Sequence, residues 1–380
     1  MRITKPQMER RQDTVEVSAE VDGFRLWYRV PGSYAVSQTA DSFLAAALLP
    51  AMARGEPLEI DASLLVCPRF LTHVGTLQEI YHCWNPALHK IPISAETAPG
   101  APVNAGVLSF FSGGVDSTYT LLTRAAEITH TVFIHGFDSY VDPDICRVAI
   151  ERNTAFVRSM GKSLIPVETN YRSFGYGHNL SMFLTHGSTL ASVALLLGFP
   201  RVFIPSTNAY DDLFPWGSHP LTDPLWSSDS VTIVHDGAGT RRIDKVRTIA
   251  GQEAALANLT VCARNMNSNC GRCDKCLYTM IALQLLQVQG PFPPLPPLRV
   301  IRKMPIGSFA RSFVAENIAL ARQSGDGVLQ KALSASLHHH ERQQLLKLAD
   351  RVLLGGLLKR AYRRTWKSRC GAPRIQPVPD

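Results

Sequence analysis

One stretch predicts the fold of this chain: Val107-Leu108-Ser109-Phe110-Phe111-Ser112-Gly113-Gly114-Val115-Asp116-Ser117-Thr118. Residues 108–111 are mostly apolar, as in a central strand of a parallel sheet. Two glycines then allow a sharp turn, and apolar residues recur at helical spacing beyond Tyr119. A glycine turn that leads into a helix N-terminus presents unpaired backbone N–H groups to an anion. The stretch therefore predicts a strand, a phosphate-binding loop and a helix.

Strands and helices alternate after this stretch. Further strands are predicted at residues 131–136, 163–167 and 201–205, with helices at 145–160 and from 187 onward. This alternation predicts an α/β fold with a doubly wound parallel sheet, whose ligands bind at the carboxyl ends of the strands. We therefore expect the phosphate loop to lie at such an end.

Four segments are predicted along the chain. Residues 1–100 indicate a small α+β unit, because two alternating stretches flank Asp22-Gly23 as in a β-hairpin. Residues 106–288 form the predicted domain with the phosphate loop, residues 289–298 a Pro-rich linker and residues 299–380 a basic helical extension.

The C-terminal extension contains two unusual clusters. Three successive histidines occupy residues 338–340. Neighbouring side chains on a helix point in different directions, so we predict a helix end there rather than a metal site. Six cations follow without an intervening acid: Lys359, Arg360, Arg363, Arg364, Lys367 and Arg369. Such a cluster is either a solvated helix end or a docking surface for a protein, nucleic acid or phospholipid. A protein partner could also use the N-terminal unit.

Composition limits the class of protein. The chain has 380 residues, 45% of them hydrophobic, and a formal net charge of +8. This length and apolar content predict two to three folded domains. No apolar run reaches the ~18–20 residues that a membrane span needs. The first residues lack an apolar signal core, so we expect a cytoplasmic protein.

Four of the eight cysteines predict a metal site: Cys262, Cys270, Cys273 and Cys276. Two overlapping Cys-x-x-Cys turns and one earlier cysteine can place four thiolates around a tetrahedral Zn²⁺ ion. A closed four-Cys site has no open position and is therefore structural. An iron–sulfur cluster or a redox cysteine pair would use similar residues.

The loop and the cysteine pattern together resemble a known family. The string Ser-Gly-Gly-Val-Asp-Ser at residues 112–117 resembles the pyrophosphate loop of the ATP pyrophosphatase superfamily. With the late four-Cys knuckle, residues 106–288 resemble the 7-cyano-7-deazaguanine synthases. The resemblance implies a HUP (adenine nucleotide alpha hydrolase-like) fold with a zinc knuckle. It also implies an ATP-dependent carbon–nitrogen ligase, which adenylates 7-carboxy-7-deazaguanine and uses ammonia to form an amide and then a nitrile, as in queuosine biosynthesis.

The resemblance also implies site residues. The residues suited to holding the ATP phosphates are Ser112, Gly113, Gly114, Val115, Asp116, Ser117 and Thr118. Asp116 is a candidate catalytic residue that holds Mg²⁺, although it could also cap the helix. Lys245 is the second catalytic candidate, in contact with phosphate or with the acyl-adenylate; by its charge alone it could equally be a surface residue.

The deazapurine-like acid is expected in a polar loop after residue 205. Candidate contacts there, and at the start of one helix, are His186, Asn208, Asp211, Asp212, Trp216, His219, Asp223 and Trp226. The family carries a Tyr-Gly-Gln-like segment where this chain has His135-Gly136-Phe137-Asp138-Ser139. The added terminal segments are similar to those of defence-associated (antiphage) relatives, which work with partner proteins. This likeness implies that the activated deazapurine is either released or attached to a partner.

Two other functions use the same loop. A tRNA-thiolating enzyme would use it to activate a base, with Cys146 as the isolated sulfur-relay candidate. A non-catalytic nucleotide sensor would use the terminal segments as docking surfaces.

Overall fold

The computed structural model describes residues 1–4, 7–137, 143–178, 180–304, 306–307 and 310–353. It divides into two compact units, with the first at Met1–Pro294 and the second beginning at Leu295. The basic cluster at residues 359–369 lies outside the described residues, as do Asp138 and Ser139.

The described strands are β1 Arg2–Ile3, β2 Gln7–Arg11, β3 Thr14–Val21, β4 Phe24–Pro31, β5 Leu58–Ile60, β6 Leu65–Val66, β7 Ile93–Ser94, β8 Glu96–Thr97, β9 Val107–Phe110, β10 His130–His135, β11 Ser163–Thr169, β12 Arg201–Pro205 and β13 Thr232–Asp236. The described helices are α1 Asp41–Arg54, α2 Pro68–Trp84, α3 Val115–Thr123, α4 Pro143–Ser159, α5 Tyr171–Gly177, α6 Met182–Leu197, α7 Arg242–Ala250, α8 Glu253–Asn258, α9 Asp274–Leu285, α10 Leu298–Ile301, α11 Ala310–Gln323 and α12 Gly327–Leu353. Within these residues no helix combines the length and hydropathy that crossing a bilayer requires.

Five parallel strands form the centre of the first unit. Their order across the sheet is β11-β10-β9-β12-β13. Counted in chain order, this is 3-2-1-4-5, the order of a doubly wound sheet that reverses direction between β9 and β12. The predicted α/β fold with a largely parallel central sheet is therefore confirmed.

The N-terminal segment extends this same sheet. Strand β4 pairs antiparallel with β11, where Tyr28 faces Thr169, and the sheet continues through β3, β1, β5 and β7. Asn170 fastens the junction, because its side chain accepts from Trp27 N–H at 2.9 Å and donates to the Arg25 carbonyl at 2.8 Å. The sequence predicted residues 1–100 and 106–288 as separate segments, whereas the structure joins both in one compact unit.

The predicted hairpin is formed by β3 and β4. Asp22 (φ 53°) and Gly23 (φ 81°) make the turn, and Val21 pairs with Phe24. Positive φ at both central residues is typical of the tight turn that matches strand twist.

The second unit is helical, as predicted, but one helix is longer. The histidines at residues 338–340 lie inside α12, so the predicted helix end at these residues is wrong. No glycine or proline follows Gly327 within this helix, and nothing in the sequence therefore interrupts it.

Candidate active site

The loop after β9 closes on itself through two serine side chains. The Ser112 N–H donates to Ser117 Oγ at 3.2 Å, and Ser117 Oγ donates to the Gly114 carbonyl at 3.2 Å. Gly113 has φ 78°, and a Cβ there would lie 2.8 Å from Asn153 Oδ1. The loop therefore requires glycine at residue 113 for two independent reasons.

Helix α3 begins directly after this loop, at the reversal point of the sheet. Gly114 precedes its first turn and has no side chain to cap it. The first backbone N–H groups of a helix lack partners within the helix, and the helix dipole adds positive potential there. The predicted phosphate-loop residues thus surround a helix N-terminus that can accept an anion.

Three charged side chains meet beside this N-terminus. Asp116 Oδ2 accepts from Arg242 Nη1 at 2.9 Å, and Asp116 Oδ1 lies 3.5 Å from Lys245 Nζ. Lys245 also donates to the Ser206 carbonyl at 2.6 Å. The structure therefore brings together the two predicted catalytic residues, Asp116 and Lys245, and adds Arg242.

The cluster carries two cations and one anion. Only 1% of the Lys245 side chain is exposed, and this burial lowers its pKa, although Asp116 partly offsets the effect. Arg242 lies 5.5 Å above the ring of Tyr278, and Lys245 lies 5.7 Å above the ring of Tyr119. Buried positive charge of this kind can neutralise a bound polyphosphate.

Asp236, at the end of β13, holds α3 in place. It accepts from Thr120 Oγ1 at 2.9 Å and from Arg124 Nε at 2.9 Å. Sequence reasoning missed Asp236 and Arg242, because a salt bridge such as Arg242–Asp116 joins residues 126 positions apart.

The remaining loop residues differ in exposure. Val115 and Thr118 are buried, Ser112 is exposed, and Gly114 is half-buried. Within the described part of the chain, Thr118 Oγ1 is buried with no hydrogen-bond partner.

The four predicted cysteine ligands form a metal-binding cluster. The Sγ atoms of Cys262, Cys270, Cys273 and Cys276 all lie within 4.8 Å of one another. Cys270 and Cys276 are 4.0 Å apart, as are Cys262 and Cys273. Tetrahedral zinc with ~2.3 Å bonds places its sulfur ligands ~3.8 Å apart, so the cluster fits a structural zinc ion.

Backbone N–H groups support the thiolates. Arg264 N–H donates to Cys262 Sγ at 3.4 Å, and Cys273 N–H donates to Cys270 Sγ at 3.3 Å. These contacts stabilise the deprotonated sulfur that zinc requires.

The segment that carries the four cysteines contacts the loop after β9. The Thr260 N–H donates to the Gly113 carbonyl at 2.9 Å. Arg152 donates to the carbonyls of Met266 and Asn267, between the first and second cysteine ligands.

The residues predicted to contact substrate differ in burial and in their partners. Asp223 and Trp226 are fully buried, and Trp226 packs near Phe70 and Tyr81. Asp211 is exposed and paired with Arg241. The Asn208 side chain donates to the Asp212 carbonyl at 3.2 Å.

Three of the predicted contacts, Asn208, Trp216 and His219, line a small pocket, and His186 lies beside it. The pocket is lined by Ser206, Asn208, Leu213, Phe214, Trp216, Ser218, His219, Pro220 and His235. The His186 ring lies 5.5 Å from that of Trp216, next to this wall. Sequence reasoning missed His235, a lone histidine in the short strand β13.

Comparison with protein-family models, with curated proteins and with solved structures finds no match to this chain.

Proposed function

We propose that this protein is an ATP-dependent ligase that adenylates the carboxylate of a deazapurine-like acid and transfers nitrogen to it. One observation carries the proposal: the Asp116–Arg242–Lys245 cluster lies beside the N-terminus of α3, where the parallel sheet reverses direction. That position is where doubly wound sheets bind nucleotides. The strand order also supports the finer assignment to the HUP class of nucleotide-binding folds.

The adenylation step uses positive charge at two places. A carboxylate oxygen of the acid attacks the α-phosphorus of ATP, and the bond to pyrophosphate breaks with its electron pair on the leaving oxygen. The N–H groups at the start of α3 bind the pyrophosphate. Arg242 and Lys245 neutralise the charge that develops between the phosphates.

Nitrogen transfer follows from the same activated group. Ammonia attacks the acyl carbon, AMP leaves with the C–O electron pair, and a proton is lost from nitrogen. A second ATP can activate the amide oxygen in the same manner, with release of pyrophosphate. AMP then leaves with that oxygen and the C–O electron pair, and the nitrogen loses both of its protons to give the nitrile.

The observations favour zinc at the four cysteines more than Mg²⁺ at Asp116. Zinc fits the four sulfur ligands, where it would fix the segment that contacts the phosphate loop. Both oxygens of Asp116 already face cations, so Mg²⁺ binding by Asp116 would have to share or break these contacts. We therefore assign no step to Mg²⁺ on the protein.

The tRNA-thiolating alternative has less support. Its isolated sulfur-relay candidate, Cys146, is only 1% exposed and packs with Phe133 and Ala149. A relay cysteine must be accessible to its sulfur donor and to the base.

The test is a reaction of zinc-loaded protein with Mg²⁺-ATP, ammonia and 7-carboxy-7-deazaguanine, followed by mass spectrometry. We expect amide or nitrile together with AMP, and at least a hundredfold slower AMP formation in Lys245→Met. Lys162→Met is the matched control, because Lys162 also donates to backbone carbonyls but lies outside the cluster.

Three other outcomes are informative. AMP without a released product would indicate transfer to a partner protein. ATP binding without AMP under all of these conditions would favour a nucleotide sensor. Normal AMP formation by Lys245→Met would overturn the assigned role of the cluster.

A further inference from the structure

His235 is the fourth residue of β13, and its side chain is only 4% exposed. Its Nδ1 atom lies 2.6 Å from Oδ2 of Asp223, a fully buried carboxylate. Asp223 is itself held by Ser218 Oγ at 2.7 Å and by the His219 N–H at 3.2 Å. The imidazole ring is therefore fixed in one orientation from behind.

The opposite nitrogen of His235 is available to a ligand. Because a carboxylate only accepts hydrogen bonds, the proton of the neutral ring is on Nδ1, and Nε2 is an acceptor. Among the described residues Nε2 has no hydrogen-bond partner, although the atom is buried. A buried polar atom without a partner is costly, and a bound ligand can supply that partner.

The pocket that His235 lines suits a flat, polar molecule. Phe214 and Trp216 contribute aromatic rings, while Asn208 and Ser218 contribute polar atoms. The pocket is small and partly open to solvent.

The pocket adjoins the proposed ATP site through Ser206. This residue lines the pocket, and its carbonyl accepts from Lys245 at 2.6 Å. A heterocycle in the pocket would therefore lie next to the cluster that contacts the phosphates.

We propose that this pocket binds the planar heterocycle of the acid substrate and that His235 Nε2 accepts a hydrogen bond from an N–H on its edge. The inference rests on the proposed function for the identity of the acid. It adds a specificity-determining residue, His235, and a positioning residue, Asp223.

Two substitutions test the roles of the two ring nitrogens of His235 separately. His235→Asn can keep the hydrogen bond to Asp223 but removes Nε2. His235→Gln can place an amide near the Nε2 position. His73→Asn is the control, because His73 lies on α2 outside the pocket and its Nδ1 contacts the Ser227 carbonyl.

Binding of 7-carboxy-7-deazaguanine and of uncharged 7-deazaguanine is measured by calorimetry on full-length, zinc-loaded protein. A non-hydrolysable ATP analogue is titrated in parallel. We expect His235→Asn to weaken the binding of both heterocycles about tenfold, as for one lost hydrogen bond. We expect His235→Gln to weaken their binding less, and the ATP analogue to bind all variants equally. KM for the acid should rise in His235→Asn with little change in kcat.

Wild-type affinity for both heterocycles in His235→Asn would overturn the inference while leaving the proposed function intact. Failure of the folded wild type to bind either heterocycle would also overturn it. Absence of AMP formation despite normal heterocycle binding would instead count against the proposed function alone.

Discussion

Gly113 determines at the scale of one residue whether the loop after β9 can form. Its φ of 78° is unfavourable for other residues, and its missing Cβ leaves room for Asn153 Oδ1. Asn153 Oδ1 in turn accepts from the Asn258 side chain at 3.2 Å, so it has little freedom to move away.

We expect Gly113→Ala to destabilise the protein by more than ~2 kcal/mol and to abolish ATP binding, because strain and a steric clash add together. Gly161→Ala is the matched control, since Gly161 has φ 72° but open space around its Cβ position. Denaturant unfolding and calorimetric ATP binding measure the two effects. Equal destabilisation by both substitutions would show that Asn153 plays no part.

The sequence is informative about residues that form local patterns. The phosphate loop, Lys245 and the four cysteines are recognisable from short strings, and the structure brings Asp116 to Lys245 as expected. Arg242 and His235 were missed because their partners lie far along the chain or in an irregular loop. Asp223 was expected near substrate, and in the structure its carboxylate contacts His235 Nδ1.

At the scale of elements, the chain between α8 and α9 is hydrogen-bonded to the loop that precedes α3. The cysteine cluster fixes the chain between α8 and α9, and the hydrogen bond from Thr260 ties that chain to Gly113. Removal of the metal should therefore affect the nucleotide site as well as stability.

We expect the purified protein to contain one zinc ion per chain. Cys270→Ser should lower the zinc content, reduce the free energy of unfolding by ~3 kcal/mol or more, and weaken ATP binding. Cys83→Ser is the control, since Cys83 is exposed and lies outside the cluster. Elemental analysis and thermal unfolding give the readouts, and iron with sulfide in place of zinc would contradict the assignment.

Long regular elements were easier to predict than short ones. The hairpin of β3 and β4 and the strands β9 to β12 have clear apolar periodicity. Strands β1, β6, β7 and β8 have two residues each, which is too short for any period to show. A helix end was predicted at residues 338–340, whereas α12 continues through them to Leu353.

At the scale of the whole molecule, the first 100 residues are part of the central fold. Helix α1 packs against α6, and Tyr28 donates to Ser192 Oγ at 3.0 Å between β4 and α6. The pairing of β4 with β11 could not be predicted, because no local pattern links strands about 140 residues apart.

A chain starting at residue 103 should therefore not fold. It would expose the apolar side of α6 and leave the edge of β11 unpaired. A chain ending at Pro294 should fold and retain zinc, because the first compact unit ends there. Circular dichroism, size-exclusion chromatography and zinc content distinguish these outcomes, and a soluble, cooperative 103–380 fragment would refute the prediction.

The short contact between Lys245 and the Ser206 carbonyl has a thermodynamic consequence. One end of this contact belongs to the proposed nucleotide site, and the other forms part of the pocket wall. A phosphate that draws the ammonium group toward itself must loosen the carbonyl. The two ligands would then influence each other's affinity by the same factor, whichever binds first. Coupling between the two ligands would thus follow from a single backbone oxygen.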